Sequence, residues 1–166
     1  MASWMAGAGL LSKYLFAATS AHTSMMIEPT PGKSPTAADD LIVSKSAFPF
    51  VSTLEHLVEA IEKSGMTLFA RIDHQAAARQ VGLEMPPTTV LIYGNPKGGT
   101  PLMLAAPAIA LDLPLRILIR EDTTGATLVS FHPAIALTRA VGLPDDQAAG
   151  LSKAQTMMLA ALQTGS

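Results

Sequence analysis

A chain of 166 residues, 49% apolar and only 14% charged, fits one folded domain plus a tail and is long enough to bury a core without covalent staples. The net charge of −2, with no Lys/Arg cluster, lacks the basic footprint that phosphate neutralisation requires, so nucleic acid is not expected as a partner. The absence of cysteine removes disulfides, thiol nucleophiles, cysteine zinc sites and a lipobox anchor.

Residues 1–40 read as a flexible N-terminal tail. Two readings of its start stay open. One is a weak secretory signal, with Lys13 as the positive region, residues 14–18 as a short apolar core and Ala21 at the cleavage position. The other is a loose or misassigned start. The compartment stays open with them: the cytoplasm is favoured, and a secreted or periplasmic location is the alternative. The longest uncharged apolar runs, residues 14–27 and 98–111, fall short of the roughly 18–20 residues that cross a bilayer, so no transmembrane segment is expected. Residues 22–40 hold Pro29, Pro31, Gly32 and Pro35 among Ser and Thr, which is linker composition. A single domain is therefore expected over residues 41–166.

Residues 41–46 are β-branched and bounded by turn residues, a first strand. Ser52 and Glu55 have capping-box spacing, and Leu54, Leu57, Val58 and Ile61 recur on one helical face up to the stop at Gly65. Residues 67–73 read as a strand with Leu68, Ala70 and Ile72 facing one way and Phe69 and Arg71 the other. Asp73 is placed to cap a short helix that Gly82 stops. Residues 88–93 form a strand that ends in Gly94-Asn95-Pro96-Lys97-Gly98-Gly99, read as a turn. Thr100-Pro101 then reads as a cap and first residue of a helix that is apolar all round, hence buried, and that Pro107 kinks or restarts. Residues 115–121 and 126–131 are strands joined by a hairpin turn at Asp122-Thr123-Thr124-Gly125. Residues 133–141 and 152–162 close the chain as helices, the last with a core stripe of Leu151, Ala154, Met158 and Leu162.

The segments Ala70-Arg71-Ile72-Asp73-His74, Gly94-Asn95-Pro96, Thr100-Pro101-Leu102-Met103, Ala106-Pro107 and Leu111-Asp112-Leu113-Pro114-Leu115-Arg116, in that order and spacing, resemble the domain-of-unknown-function 302 family. The resemblance covers roughly residues 52–131. It implies an α+β domain, an antiparallel sheet with helices packed on one face, of the TATA-binding-protein-like kind. It implies no activity.

The candidate ligand-binding residues are Asp73, His74, Asn95, Lys97, Thr100 and Arg116. The glycine turn offers backbone N–H groups, the Lys97 charge and a helix N-terminus to a small anion. Its structural reading, a rigid turn whose glycines take positive φ, carries more weight. Asp73 beside His74 offers acid–base chemistry, against a plain N-cap and a first-turn histidine. His74 and His132 have no metal-ligand spacing and would have to meet in space. Arg116 and Arg120 share a strand face, and with Arg71 they would clamp a carboxylate or phosphate. No metal, cofactor or nucleophile elbow is expected. The sequence thus reads as a non-catalytic ligand-binding or assembly domain acting as a homodimer, with a small anion as ligand. The alternative is an enzyme of unknown reaction using Asp73 and His74 beside a glycine-turn anion site.

Overall fold

In the strands over residues 88–94 and 115–121, buried and more accessible residues alternate, and the buried set lies on one side of a sheet. The computed structural model describes residues 41–163; the tail and signal readings for residues 1–40 lie outside the described residues. In chain order the elements are β1 (Ile42–Lys45), α1 (Phe50–Lys63), β2 (Thr67–Asp73), α2 (His74–Gln80), β3 (Thr88–Gly94), α3 (Pro96–Ala105), a 3-10 turn (Pro107–Leu111), β4 (Leu115–Glu121), β5 (Thr127–Phe131), α4 (Ala134–Ala140), a second 3-10 turn (Asp145–Ala148) and α5 (Ala149–Ala160). The strands pair antiparallel in the order β1-β5-β4-β3-β2. The α+β class expected from the sequence is observed.

Leu91 and Tyr93 of β3, Leu115, Ile117 and Ile119 of β4, and Val129 and Phe131 of β5 are buried on one face. They pack against Leu54, Leu57 and Ile61 of α1 and Met158 and Leu162 at the C-terminal helix. Each such aliphatic side chain removed from water contributes roughly 1.5–3 kcal/mol. A smaller cluster of Leu102, Ile109 and Leu143 extends this layer beyond the sheet. The buried amide of Gln155 ties α5 to the sheet. It accepts from the Ala134 N–H at 2.9 Å and donates to the His132 carbonyl at 2.7 Å. The opposite sheet face stays open to solvent, with Val43 52% and Ile72 41% exposed.

Two local expectations need correction. The first is the capping box on α1. The helix begins two residues before Ser52, at Phe50, without a side-chain cap. The hydroxyl of Thr53, not Ser52, anchors its first turn, donating to Ser46 Oγ at 2.7 Å or to the Phe48 carbonyl. Burial of Thr53 beside the β1 end won over the exposed box geometry. The second is the alternation in β2. A bulge between Leu68 and Ala70 inserts Phe69. Leu68 stays opposite Tyr93, on the core side, while Ala70 and Ile72 pair with Ile92 and Val90 on the open side. Arg71 falls opposite Leu91 and so leaves the face that carries Arg116 and Arg120. The three-arginine clamp does not form.

Registers also fix two ends of the sheet. Asp73, Thr89, Ile119 and Val129 form one row. Thr67 meets Gly94, and Tyr93 meets Leu115, at the other end. The five steps from Thr89 to Gly94, at about 3.4 Å each, put roughly 17 Å between those ends.

Candidate binding groove

The segment that reads as a glycine turn is the first half of a helix. Asn95 is the N-cap of α3, its Oδ1 accepting from the Lys97 N–H at 2.9 Å, and Pro96 takes the first helical position. Both Asn95-Pro96 and Thr100-Pro101 are cap–proline pairs; the earlier one starts the helix, and Pro101 falls inside it. Gly98 and Gly99 take no positive φ. Their N–H groups donate to the Asn95 carbonyl at 3.0 and 2.9 Å. Pro96 has no N–H to offer. The donors expected to cradle an anion are thus already used within the helix start.

Burial of α3 is also one-sided. Leu102 is buried, but Leu104 is 79% exposed, and Leu111 of the following 3-10 turn is 85% exposed. The expectation of a sunken helix is corrected. The helix packs through Leu102, with Met103 half-buried beside it, towards Ile109 and Leu143, because its other neighbour is an open space.

That space is a groove of about 630 Å³. One wall is α3, through Gly98, Gly99, Thr100, Leu102 and Met103. The opposite wall is α5, through Gly150, Leu151, Lys153, Ala154 and Met157. The floor is the sheet end, with Met66, Phe69, Gly94 and the chain from Leu113 to Leu115. Gly150, Lys153, Ala154 and Met157 lie at i, i+3, i+4 and i+7 of α5, one helical stripe beside the core stripe. Glycines on both walls leave the gap. A Cβ at Gly98 or Gly150 would meet no atom within 4 Å, and one at Gly99 would meet Leu113 Cδ1 at 3.7 Å. The β2 bulge brings Phe69 into the same lining.

Polar atoms are few. Ser64 Oγ is engaged with the carbonyls of Ala60 and Ile61. Asn95, Thr100 and Gln147 border the opening, and Lys153 is the one titratable side chain among the lining residues. Of the six candidate residues, the groove takes in Asn95 and Thr100. Lys97 lies on the exposed first turn of α3, outside the lining.

The rest stand elsewhere. Asp73 caps α2, its Oδ1 accepting from the Ala76 N–H at 2.8 Å, and His74 is the exposed first helical residue. Both sit at the far end of the sheet, roughly 17 Å from Gly94 along the strand direction. Arg116 lies on the open face opposite Ile92 and bonds Asp112 at 2.8 Å. His132 follows β5, three strands from β2 and at the opposite end of the sheet from His74. The convergence that acid–base chemistry through His74, Asn95 and Arg116 requires is not formed. Among the described residues no three His, Asp or Glu side chains gather to hold a metal ion. Burial pushes the Tyr93 phenol well above its ordinary pKa, so it keeps its proton at neutral pH.

Met66, Phe69, Gln147, Lys153 and Met157 had no motif to announce them. They arrive from the start of β2 and from the C-terminal segment, and only the α5 stripe leaves a trace in the sequence.

Residues 42–164 match the family described as domain of unknown function DUF302. A crystal structure of an uncharacterized conserved DUF302 protein from Bacillus stearothermophilus is similar with a TM-score of 0.68 and 16% identity, covering 75% of this chain and 98% of that one. At that identity the likeness speaks for the fold. Two curated relatives, from Brucella suis and Brucella abortus, each carry the name fluoride-specific ion channel FluC 1. They are 38% identical over 110 residues, which is 65% of this chain and 43% and 41% of theirs. The chain spans about two fifths of the length of those relatives. The family match takes in all five strands and the helices over them. This chain belongs to the DUF302 family.

Proposed function

We propose that this chain is a non-catalytic binding domain whose ligand lies in the groove between α3 and α5. The observation that supports it is the groove itself: about 630 Å³ of open, mostly apolar space walled by two helices. Concave apolar sites of roughly 300–1,000 Å³ with a few polar groups are where small ligands bind. Catalysis has less support, because the lining holds one lysine and no carboxylate or imidazole. Channel activity is a property named for the Brucella relatives, of which this chain spans about two fifths, and it gives no reading for the groove.

The test is an environment-sensitive apolar dye titrated into the full-length chain. Saturable binding is expected, with at least a tenfold loss in Gly150→Leu, whose side chain would enter the groove from α5. A dye that does not bind, or that binds both proteins equally, contradicts the reading.

In the same reading the domain acts as a homodimer. The charged fraction of only 14% and the exposed Val43 and Ile72 on the uncovered sheet face support it. Light scattering is expected to give about twice the chain mass of 17.3 kDa. A monomer mass at micromolar concentration contradicts the dimer and leaves the groove untouched.

A further inference from the structure

The groove has a polarity that its volume alone does not specify. Its lining is apolar along Met66, Phe69, Leu102, Met103 and Met157, and its one charge is the Lys153 ammonium. No ion pair among the described residues engages Lys153, and no carboxylate lines the groove. A lysine in no ion pair, on the same α5 stripe as Met157, sets a single positive charge beside an apolar groove. The methionines add unbranched, polarizable surface that adapts to a flexible chain.

We propose that the ligand is a single-chain amphiphile with one carboxylate, such as a free fatty acid. Its hydrocarbon chain lies along Met66, Phe69 and Met103, and its carboxylate meets Lys153 Nζ at the rim. This rests on the binding reading of the groove and adds the chemistry of its occupant. Small inorganic anions fit less well. The N-terminal donors of α3 are already bonded to Asn95, so no ring of N–H groups awaits them. A dianion or phosphate would meet one cation where such groups ordinarily find several donors.

The experiment is calorimetric titration of the full-length chain with octanoate, decanoate and dodecanoate, each below its micelle concentration, and with decanol as the uncharged match. Affinity is expected to rise roughly two- to fourfold per added methylene, the increment of a hydrocarbon chain leaving water. Decanoate is expected to bind at least fivefold more tightly than decanol. Lys153→Gln should remove that difference and leave decanol binding unchanged, and Lys153→Arg should restore it. Gly150→Leu should weaken both ligands by tenfold or more while keeping the native circular dichroism spectrum.

Decanol binding as tightly as decanoate, with Lys153→Gln without effect, overturns the carboxylate partner and leaves the groove reading standing. Acid affinity undiminished in Gly150→Leu places the site elsewhere and overturns the inference. Failure of the acids, the alcohol and the apolar dye together overturns the groove reading as well.

Discussion

Two corners of the sheet carry opposite halves of what a functional site needs. At one end, Asp73 and His74 bring titratable chemistry, and the Asp122 turn adds a carboxylate. The two carboxylates serve a helix cap and a turn. At the other end, α3 and α5 line an apolar groove with a single lysine. The difference teaches that reactive residue types are a poor guide to the proposed site in this chain. Asp73 holds the Ala76 N–H, and Asp122 Oδ1 holds the N–H groups of Thr124 and Ala126 and the Thr124 hydroxyl. The glycines of the other corner look conformational but act by leaving room.

The comparison can be broken by substitutions that treat the two corners alike. The largest effect is expected across the groove wall itself. Met158 is fully buried on the core face of α5, and Met158→Ala should cost about 2–5 kcal/mol in denaturant unfolding. Its neighbour Met157 lines the groove, and Met157→Ala should cost less than about 1 kcal/mol while weakening the ligand. Equal costs would mean that α5 does not present one face to the core and one to the groove.

Glycines should behave oppositely at the two ends. Gly125 has φ +79° in the hairpin turn, so Gly125→Ala should destabilise by about 1–2 kcal/mol. Gly98 is helical and faces open space, so Gly98→Ala should stabilise by up to about 1 kcal/mol. Chemical denaturation of both variants decides it. A loss at Gly98 would restore the tight glycine turn read from the sequence.

A smaller contrast separates Asp73 from His74. Asp73→Ala should cost about 1 kcal/mol through the lost cap, and His74→Ala should change stability by less than about 0.5 kcal/mol. Neither should alter ligand affinity. A drop in affinity with either would return the site to that corner.

The smallest effect is in pH. Hydrogen bonds from Thr124, then from the Ala126 N–H, hold the Asp122 carboxyl below its ordinary pKa. A carboxylate depressed in the folded state contributes stability above its unfolded pKa and loses it as pH falls through the folded one. Thermal midpoints measured from pH 5 downward should therefore fall less steeply in Asp122→Asn than in the wild type. Identical slopes would show that this turn adds nothing to acid sensitivity.

Much of the fold was legible. Period-2 runs gave the strands after Asp73, the Asp122–Gly125 turn announced its hairpin, and Leu54, Leu57 and Ile61 gave the face of α1. What failed locally failed for physical reasons. Two cap–proline pairs five residues apart compete in one segment, and no sequence rule says that Asn95-Pro96 wins over Thr100-Pro101. A bulge at Phe69 reverses the facing of Arg71, and alternation cannot foresee an inserted residue. The groove was the least legible feature. It is the space left by small residues on two helices more than forty positions apart, and Lys153 stands out only once that space is seen.

Amide chemical-shift mapping of the full-length chain during decanoate titration tests the central claim most directly. The expected shifts cluster at Met66, Phe69, Gly98 to Met103 and Leu151 to Met157, with residues Asp73 to Ala78 unmoved. Shifts centred on Asp73 to Ala78, or spread over the open sheet face around Ile72 and Val43, would contradict it.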